Sequence, residues 1–318
     1  MMKKLFAEAE RAFFDNMDVS EVTKDNYRRI LSRFKQWVVC RGTPIGQLQR
    51  ADILAYKSAL LQSGKSESTM DIYLMVVRLF YAFVEDSGWG DNIAAGVRYK
   101  RRNKDHYKEH LTEEEIERLL SSVEQDRLIG LRDYAIIYLM LSTGFRCVEV
   151  SRLQVGDVHD EGSRPYLLIQ RKGSARKDAK FGITADILAH IRRYLEARGV
   201  SHLDEPLFAT HCTVGEFRMK PWRVGAMIRQ RMRAAGVYSR AKTAHSLRHT
   251  AAIRAIKAKV PIREVQIMLG HQRVETTEIY LKSIANEMRL DNPAVRAMPK
   301  LPTHAAQRHD KTDQTAGD

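Results

Sequence analysis

Apolar residues recur at helical spacing through the first hundred residues, and this periodicity constrains what that part of the chain can fold into. The segment "STMDIYLMVVRLFYAFVE" has one such stripe, made of Ile72, Met75, Val76, Leu79, Phe80 and Phe83. The segment "TKDNYRRILSRFKQWV" has a second stripe, made of Tyr27, Ile30, Leu31, Phe34 and Val38. A shorter helical pattern, "ADILAYKSALLQ", lies between the two, and turns are indicated at "GTP" and "SGKS". We therefore predict a compact unit of four or five helices over residues 1–96.

The charge of the chain indicates a polyanionic partner. Its 318 residues include 53 Lys and Arg against 39 Asp and Glu, a net charge of +14, of which +5 falls in residues 1–103 and +9 in the remainder. Such an excess favours nucleic acid or an acidic membrane surface. No long apolar run follows the start "MMKKLFAEAERAFF", so we predict neither a signal peptide nor a transmembrane span, and the membrane is the weaker explanation.

The cysteines indicate a reducing compartment. Cys40, Cys147 and Cys212 are widely spaced and odd in number, which is typical of a cytoplasmic protein without a disulfide framework or a cysteine-based zinc site. The segment "VRYKRRNKDHYKEH" at residues 97–110 is dense in charge and nearly free of aliphatic side chains. We interpret residues 97–108 as an extended basic linker, although a solvated helix end explains the composition equally well.

A second domain is predicted from residue 109 to residue 293. Thr112 and Glu115 have the spacing of a capping box, with Leu111 and Ile116 placed as a hydrophobic staple. The helical pattern "LRDYAIIYLMLSTG" ends at a glycine, and "RPYLLIQRKGSARKDAKFGIT" has the apolar runs and the Lys-Gly-Ser turn of a β-hairpin. Helical patterns return after residue 185, and the polar tail at 294–318 is predicted to be disordered.

Two basic side chains in "TAHSLRHTAAIRAIK" are candidates for an anion site. His245 and Arg248 are three residues apart and share a helical face, and the stretch contains no acidic residue. A permanent cation makes a poor neighbour for a metal ion, whereas a guanidinium fork beside an imidazole suits an oxyanion. His249 is expected to lie off that face and to serve the structure.

Four further positions are unremarkable when each is taken alone. Arg146 follows the helix-ending glycine and has Glu149 three residues on, where it can orient the guanidinium. His271, Tyr280 and Lys172 have the ordinary explanations of a residue after a helix end, a half-buried packing tyrosine and a turn lysine. Their order and spacing along the chain are what make them informative.

The segments "TGFRCVEVSRLQVGDV", the lysine-bearing hairpin, "HSLRHTAAIRAIKAKVPIREVQIMLGH" and "TTEIY" together resemble the tyrosine recombinase (phage integrase) family over nearly the whole chain. The resemblance implies a mainly α fold with a small β-sheet or hairpin in the catalytic domain. A helical, SAM-like core-binding domain would precede that catalytic domain.

The resemblance also implies the site. It places the catalytic residues at Arg146, Lys172, His245, Arg248, His271 and Tyr280, with Glu149 in support. The hairpin lacks the family's usual proline, and Lys177 and Lys180 lie nearby as alternatives to Lys172. Candidate DNA contacts are Arg98, Lys100, Arg101, Arg102 and Lys177.

The implied activity is site-specific DNA recombination for integration, excision or resolution. Strands would be cut and rejoined through a covalent 3′-phosphotyrosine, without metal, cofactor or ATP. The implied partners are double-stranded DNA at specific sites and further copies of the chain, forming a tetramer on two sites. Segment 284–298 would dock on a neighbouring copy or cap its own domain. Two alternatives remain open: a type IB topoisomerase-like DNA relaxing enzyme, and a DNA-binding regulator that does not cleave.

Overall fold

The computed structural model describes residues 2–98, 109–160, 164–171, 173–174, 176–212, 215–285, 289 and 297–298. The chain divides into two compact units, residues 1–106 and residues 107–318. The mainly helical fold with small antiparallel sheets confirms the predicted fold class.

The first unit is helical in its described part. Its α-helices are α1 (Met2–Asp15), α2 (Glu21–Cys40), α3 (Arg50–Gln62) and α4 (Glu67–Asp86). The side chain of Ser20 accepts a hydrogen bond from the backbone N–H of Thr23, and so satisfies one of the free donors at the start of α2. Of the predicted stripe on α2, Ile30, Leu31, Phe34 and Val38 are buried, and Tyr27 is partly buried.

The predicted stripe on α4 is wrong in part. Ile72 and Leu79 are 39% and 41% exposed. The buried face of α4 consists of Met70, Tyr73, Leu74, Val76, Val77, Phe80, Tyr81 and Val84. Apolar residues occur around most of this helix, so its sequence allows more than one inward face. Contacts with α1, α2 and α3 decide which face is buried.

The second unit is built around a buried helix. Its α-helices are α5 (Glu113–Ser121), α6 (Leu128–Thr143), α7 (Cys147–Arg152), α8 (Ala185–Arg198), α9 (Pro221–Ala234), α10 (Ala244–Lys257), α11 (Ile262–Leu269) and α12 (Glu275–Ser283). The predicted capping box is confirmed at α5, where Thr112 Oγ1 accepts from Glu115 N at 3.2 Å and Thr112 N donates to Glu115 Oε2 at 3.1 Å. The long apolar helix α6 packs against α8 and α10.

The predicted β-hairpin is confirmed as strands β2 and β3 of a three-stranded antiparallel sheet. Strands β1 (Val158–His159), β2 (Tyr166–Ile169) and β3 (Ala179–Gly182) are ordered β1-β2-β3. Tyr166 lies opposite Gly182 and Ile169 opposite Ala179, so the turn spans 170–178.

A second hairpin was not predicted from the sequence. Strands β4 (Ala209–Cys212) and β5 (Gly215–Arg218) pair antiparallel within a region where the sequence indicates helices. Each strand has four residues, as β2 and β3 do, but the sequences "ATHC" and "GEFR" contain no run of apolar residues that would mark a strand. The hairpin is attached to α6 by a hydrogen bond, in which the buried Arg132 donates to Ala209 O at 2.9 Å.

A glycine at the end of α6 allows close packing against α11. Gly144 ends α6 in the left-handed conformation with φ of +69°, as the sequence predicts. A Cβ atom at this position would lie 2.7 Å from Leu269 Cδ2, so the absent side chain also lets α11 approach. This approach brings the ends of α6 and α11 together.

The predicted linker and tail lie almost wholly outside the described residues, so both stay predictions, as do the domain boundaries. Among the described helices, none is both long and apolar enough to cross a lipid bilayer.

Replacing Phe34 by alanine should destabilise the first unit. The ring is fully buried and lies 4.9 Å from the ring of Tyr56 and 6.4 Å from that of Trp37. Loss of this packing should lower the free energy of unfolding by about 3–5 kcal/mol. Urea unfolding followed by tryptophan fluorescence measures the change, since Trp37 reports on this core. Val39→Ala on the same helix removes a side chain that is 70% exposed and should change stability by less than about 0.5 kcal/mol. Equal effects of the two substitutions would contradict this description of the core.

Candidate active site

Arg248 on α10 is the largest of the fully buried side chains in the described part of the chain. It is 1% exposed. Its Nη1 donates to Gly144 O at 2.6 Å and its Nη2 to Leu269 O at 2.7 Å. One guanidinium thereby binds the C-terminal ends of both α6 and α11, where carbonyl groups lack partners within their own helices.

Arg248 has one hydrogen-bond donor that no described residue accepts. Its Nη2 also lies 2.8 Å from His271 Nε2, while its Nε is buried with no hydrogen-bond partner among the described residues. No carboxylate of the described chain accepts a hydrogen bond from this guanidinium. Burial and the nearby charge of Arg146 lower the pKa of Arg248 to about 10, which still leaves it charged at neutral pH. A buried cation with an unused donor is suited to receive an anion.

Arg146 is held by its own helix. It is the N-cap residue of α7; its Nη1 lies 3.0 Å from Glu149 Oε1, and its backbone N donates to Glu149 Oε2 at 2.8 Å. Glu149 is 1% exposed, whereas the Arg146 side chain is 23% exposed. The carboxylate thus fixes the guanidinium from the protein side and leaves its other side accessible.

His271 is a neutral imidazole of defined tautomer. Arg248 can only donate, so His271 Nε2 must accept, and the proton must lie on Nδ1, 2.8 Å from Thr277 Oγ1. Burial, together with the positive charges of Arg248, Arg146 and Arg171, lowers the pKa of His271 to about 4. The loop that follows α11 therefore presents an uncharged ring to the arginine pair.

Tyr280 on α12 lies among these groups. It is 4% exposed, and its ring centroid lies 6.2 Å from that of His271 in a stacked arrangement and 4.7 Å from that of His249 in an edge-to-face arrangement. Burial raises the pKa of Tyr280, while the charge of Arg248, a hydrogen bond from Arg248 and the charge of Arg146 all act to lower it. His249 therefore does more than fill space near α10, because it contacts this tyrosine directly.

Two predicted catalytic residues remain, His245 and Lys172. His245 is exposed in the first turn of α10, one turn before the buried Arg248. Lys172 lies outside the described residues, and its role stays a prediction. Lys180, the alternative on β3, is exposed, with its Nζ 5.1 Å from the ring centroid of Tyr166.

Of the five candidate DNA contacts, Arg98 and Lys177 belong to the described residues. Arg98 is exposed at the end of the described part of the first unit. Lys177 is partly buried; its Nζ lies 2.7 Å from Asp157 Oδ2 and 2.5 Å from Gln154 Oε1, so a phosphate would have to compete with a carboxylate for it. Lys100, Arg101 and Arg102 lie outside the described residues.

Two contributors were missed in the sequence. Thr277 is fully buried and orients His271, and Arg171 acts electrostatically on the same ring. The pattern "TTEIY" contains the threonine, but nothing in its spacing distinguishes Thr277 from its neighbour. Within the described part of the chain, no three His, Cys, Asp or Glu side chains are grouped so as to hold a metal ion.

His271 should make the folded protein less stable as the pH falls from about 6.5 towards 4. Its usual pKa of 6.5 is lowered to about 4 by folding, so the unfolded chain takes up the proton first across this window. His271→Gln retains an acceptor for Arg248 and a donor for Thr277 but does not titrate. We expect it to lose less stability than the wild type between pH 7 and pH 5 in urea unfolding. The same substitution at the exposed His202 is the control, and identical pH dependence for all three proteins would contradict the placement of His271.

The sequence matches the phage integrase family over residues 109–287, and the N-terminal SAM-like domain of phage integrases over residues 11–88. Among curated relatives, the chain is 26% identical over 261 residues to the tyrosine recombinase XerD of Listeria monocytogenes serotype 4b (strain F2365), covering 80% of this chain and 85% of the relative. It is 29% identical over 256 residues to the tyrosine recombinase XerA of Thermococcus onnurineus (strain NA1), again covering 80% and 85%.

The fold is also similar to that of a solved recombinase. The structure of the XerH site-specific recombinase in a post-cleavage complex with palindromic difH substrate has a TM-score of 0.66 and 20% identity, covering 86% of this chain and 79% of that one. At this identity the similarity supports the fold alone. The family matches cover both units of the chain, and the first of them covers the site described above. The chain therefore belongs to the phage integrase family and is a tyrosine-type site-specific recombinase.

Proposed function

We propose that this protein binds double-stranded DNA at specific sites and cuts and rejoins its strands through a covalent bond between Tyr280 and a 3′-phosphate. The observation that carries the proposal is the buried Arg248, which has no carboxylate partner among the described residues and lies beside a buried tyrosine. A phosphodiester supplies the missing anion. The proposed reaction needs no ATP, because the covalent intermediate conserves the energy of the broken bond. It needs no metal, because the two guanidinium groups of Arg146 and Arg248 supply the positive charge that stabilises the transition state.

The arginine pair supplies the electrostatics of the proposed reaction. The transition state carries extra negative charge on the equatorial oxygens of a pentacoordinate phosphorus. Arg146 and Arg248 offer two guanidinium groups against the single carboxylate of Glu149, so this part of the site has a surplus positive charge. Each preorganised donor in such a site can contribute about 3–4 kcal/mol to transition-state stabilisation.

The bond changes balance without a further reactant. The Tyr280 oxygen forms a bond to phosphorus, the bond from phosphorus to the 5′-oxygen breaks, and a 5′-hydroxyl leaves. His245 is proposed to take the tyrosine proton, and Lys172 to protonate the 5′-oxygen, since an alkoxide leaves poorly without a general acid. His271 would hydrogen-bond a phosphate oxygen. Attack by a 5′-hydroxyl of another strand reverses these steps and completes strand transfer.

The geometry supports cleavage in cis. Tyr280 contacts His249 and interacts with Arg248 of its own chain, so one subunit assembles both the arginine pair and the nucleophile. Exchange between two duplexes then requires several subunits, and we propose a tetramer on two DNA sites. The XerH recombinase, which shares this fold, was captured on its difH substrate after cleavage, and cleavage by that protein is consistent with the proposed chemistry.

Tyr280→Phe should abolish covalent attachment to DNA. A nicked suicide substrate that carries the recombination site, incubated with protein and EDTA, should give a protein–DNA adduct that survives denaturing electrophoresis. Tyr238→Phe is the matched control, because that ring is 37% exposed and packs against Arg233. An adduct formed by Tyr280→Phe, or dependence of the wild-type adduct on a divalent metal, would disprove the assignment.

The same substrates separate the alternatives. Exchange of strands between two duplexes indicates a recombinase, whereas relaxation of supercoils by a single subunit without exchange indicates a topoisomerase-like enzyme. Specific binding with no wild-type adduct on any suicide substrate would indicate a regulator that does not cleave.

Arg248→Lys should slow cleavage by about 10²–10³-fold at saturating DNA. An ammonium group retains the charge but cannot reach Gly144 O, Leu269 O and the phosphate together. Single-turnover adduct formation measures the rate. Arg254→Lys on the same helix alters an exposed residue paired with Glu113, and should cleave at close to the wild-type rate. Equal rates for the two variants would show that Arg248 has no role beyond its charge.

A further inference from the structure

Arg171, at the end of strand β2, contacts the end of α11. Its Nη1 lies 3.3 Å from Met268 O and its Nη2 lies 3.4 Å from Ile267 O. Leu269 O, the next carbonyl, is bound by Arg248. Two arginines from different elements therefore share the C-terminal carbonyls of one helix, where a positive charge is also favoured by the helix dipole.

The guanidinium of Arg171 lies close to a glycine. Gly270 ends α11 in the left-handed conformation with φ of +63°. A Cβ atom on this residue would lie 2.8 Å from Arg171 Nη1 and 2.9 Å from its Cζ. The guanidinium thus lies against the backbone immediately before His271.

The other contacts of Arg171 connect it to the sheet and to α7. Its Cζ lies 5.7 Å from the ring centroid of Phe181 on β3, and that ring packs edge to face on Phe145 at 4.8 Å. Its carbonyl lies 3.4 Å from Arg152 Nη1 on α7. The half-buried side chain therefore bridges the β2–β3 hairpin and α11, with α7 beside it.

We propose that Arg171 is a positioning residue, which joins the turn of the β2–β3 hairpin to the end of α11 and holds His271 in its contact with Arg248. The inference rests on the proposed function. Arg171 immediately precedes Lys172, so the same bridge connects the chain segment of the proposed general acid to the loop that carries His271. Its charge, together with those of Arg146 and Arg248, also helps to keep His271 neutral.

Three variants of the full-length protein test the proposal. Arg171→Met removes the fork and the charge but retains the length of the side chain, and Arg171→Lys retains the charge alone. Arg164→Met removes the same charge from an exposed residue before β2 and is the matched control. Circular dichroism and thermal unfolding establish that each variant is folded.

Two measurements distinguish positioning from general stability. The pKa of His271, followed by NMR of its ring in DNA-free protein and assigned with His271→Gln, should rise by about 0.5 unit in Arg171→Met and stay near the wild-type value in Arg171→Lys. Single-turnover cleavage at saturating DNA should be about tenfold slower in both Arg171 variants, with less than about a threefold change in Kd, because misplacement affects the reacting geometry. Arg164→Met should match the wild type in both measurements.

Two results would overturn the proposal. One is wild-type titration of His271 together with a wild-type cleavage rate in Arg171→Met. The other is a fully wild-type rate in Arg171→Lys, which would show that charge suffices without the fork. Absence of any wild-type adduct would instead refute the proposed function, and the His271 titration would then decide the positioning role by itself.

Discussion

The site depends on one buried guanidinium whose hydrogen-bond partners among the described residues are all neutral. Arg248 binds Gly144 O at the end of α6, Leu269 O at the end of α11 and the imidazole of His271. The first group lies at the end of α6 and the other two lie at the end of α11 and just after it, so the guanidinium joins the two helix ends. Desolvating a cation is costly unless its hydrogen bonds are satisfied, and two helix-end carbonyls supply much of what a carboxylate would. The carbonyls do so without cancelling the charge.

The retained charge is what makes the arrangement useful for chemistry on a phosphate. A carboxylate on Arg248 would neutralise the site and occupy the donors that an anion needs. The single nearby carboxylate, Glu149, is directed to Arg146 instead, where it also caps α7. The two arginines are thus fixed in different ways. One is buried and joins helices, and the other is partly exposed and oriented by an acid.

The local features of the chain were predictable from sequence, and the features that depend on packing were not. The capping box at Thr112 and the glycine stop at Gly144 are short-range signals that involve only a few residues. The buried face of α4 depends on which helices surround it, and the strands of the β4–β5 hairpin contain no apolar run that would mark them. At the site, the spacing of His245 and Arg248 predicted that an anion binds there. The contact of His249 with Tyr280 was not predictable, because it depends on where α12 packs. Arg171 could not be predicted because its partners are backbone carbonyls almost a hundred residues away.

The contacts among Arg248, His271 and Tyr280 bear on how the proposed reaction would begin. Arg248 is hydrogen-bonded to His271, His271 is neutral, and Tyr280 is buried with a raised pKa. A tyrosine in this state is a poor nucleophile, because its hydroxyl holds the proton more firmly than in water. An arriving phosphate competes with the imidazole for the guanidinium, and its negative charge favours protonation of His271, which then becomes a donor. Binding of the scissile phosphate would thereby convert the resting arrangement into the reactive one, so we expect the chemistry to be coupled to correct seating of the DNA.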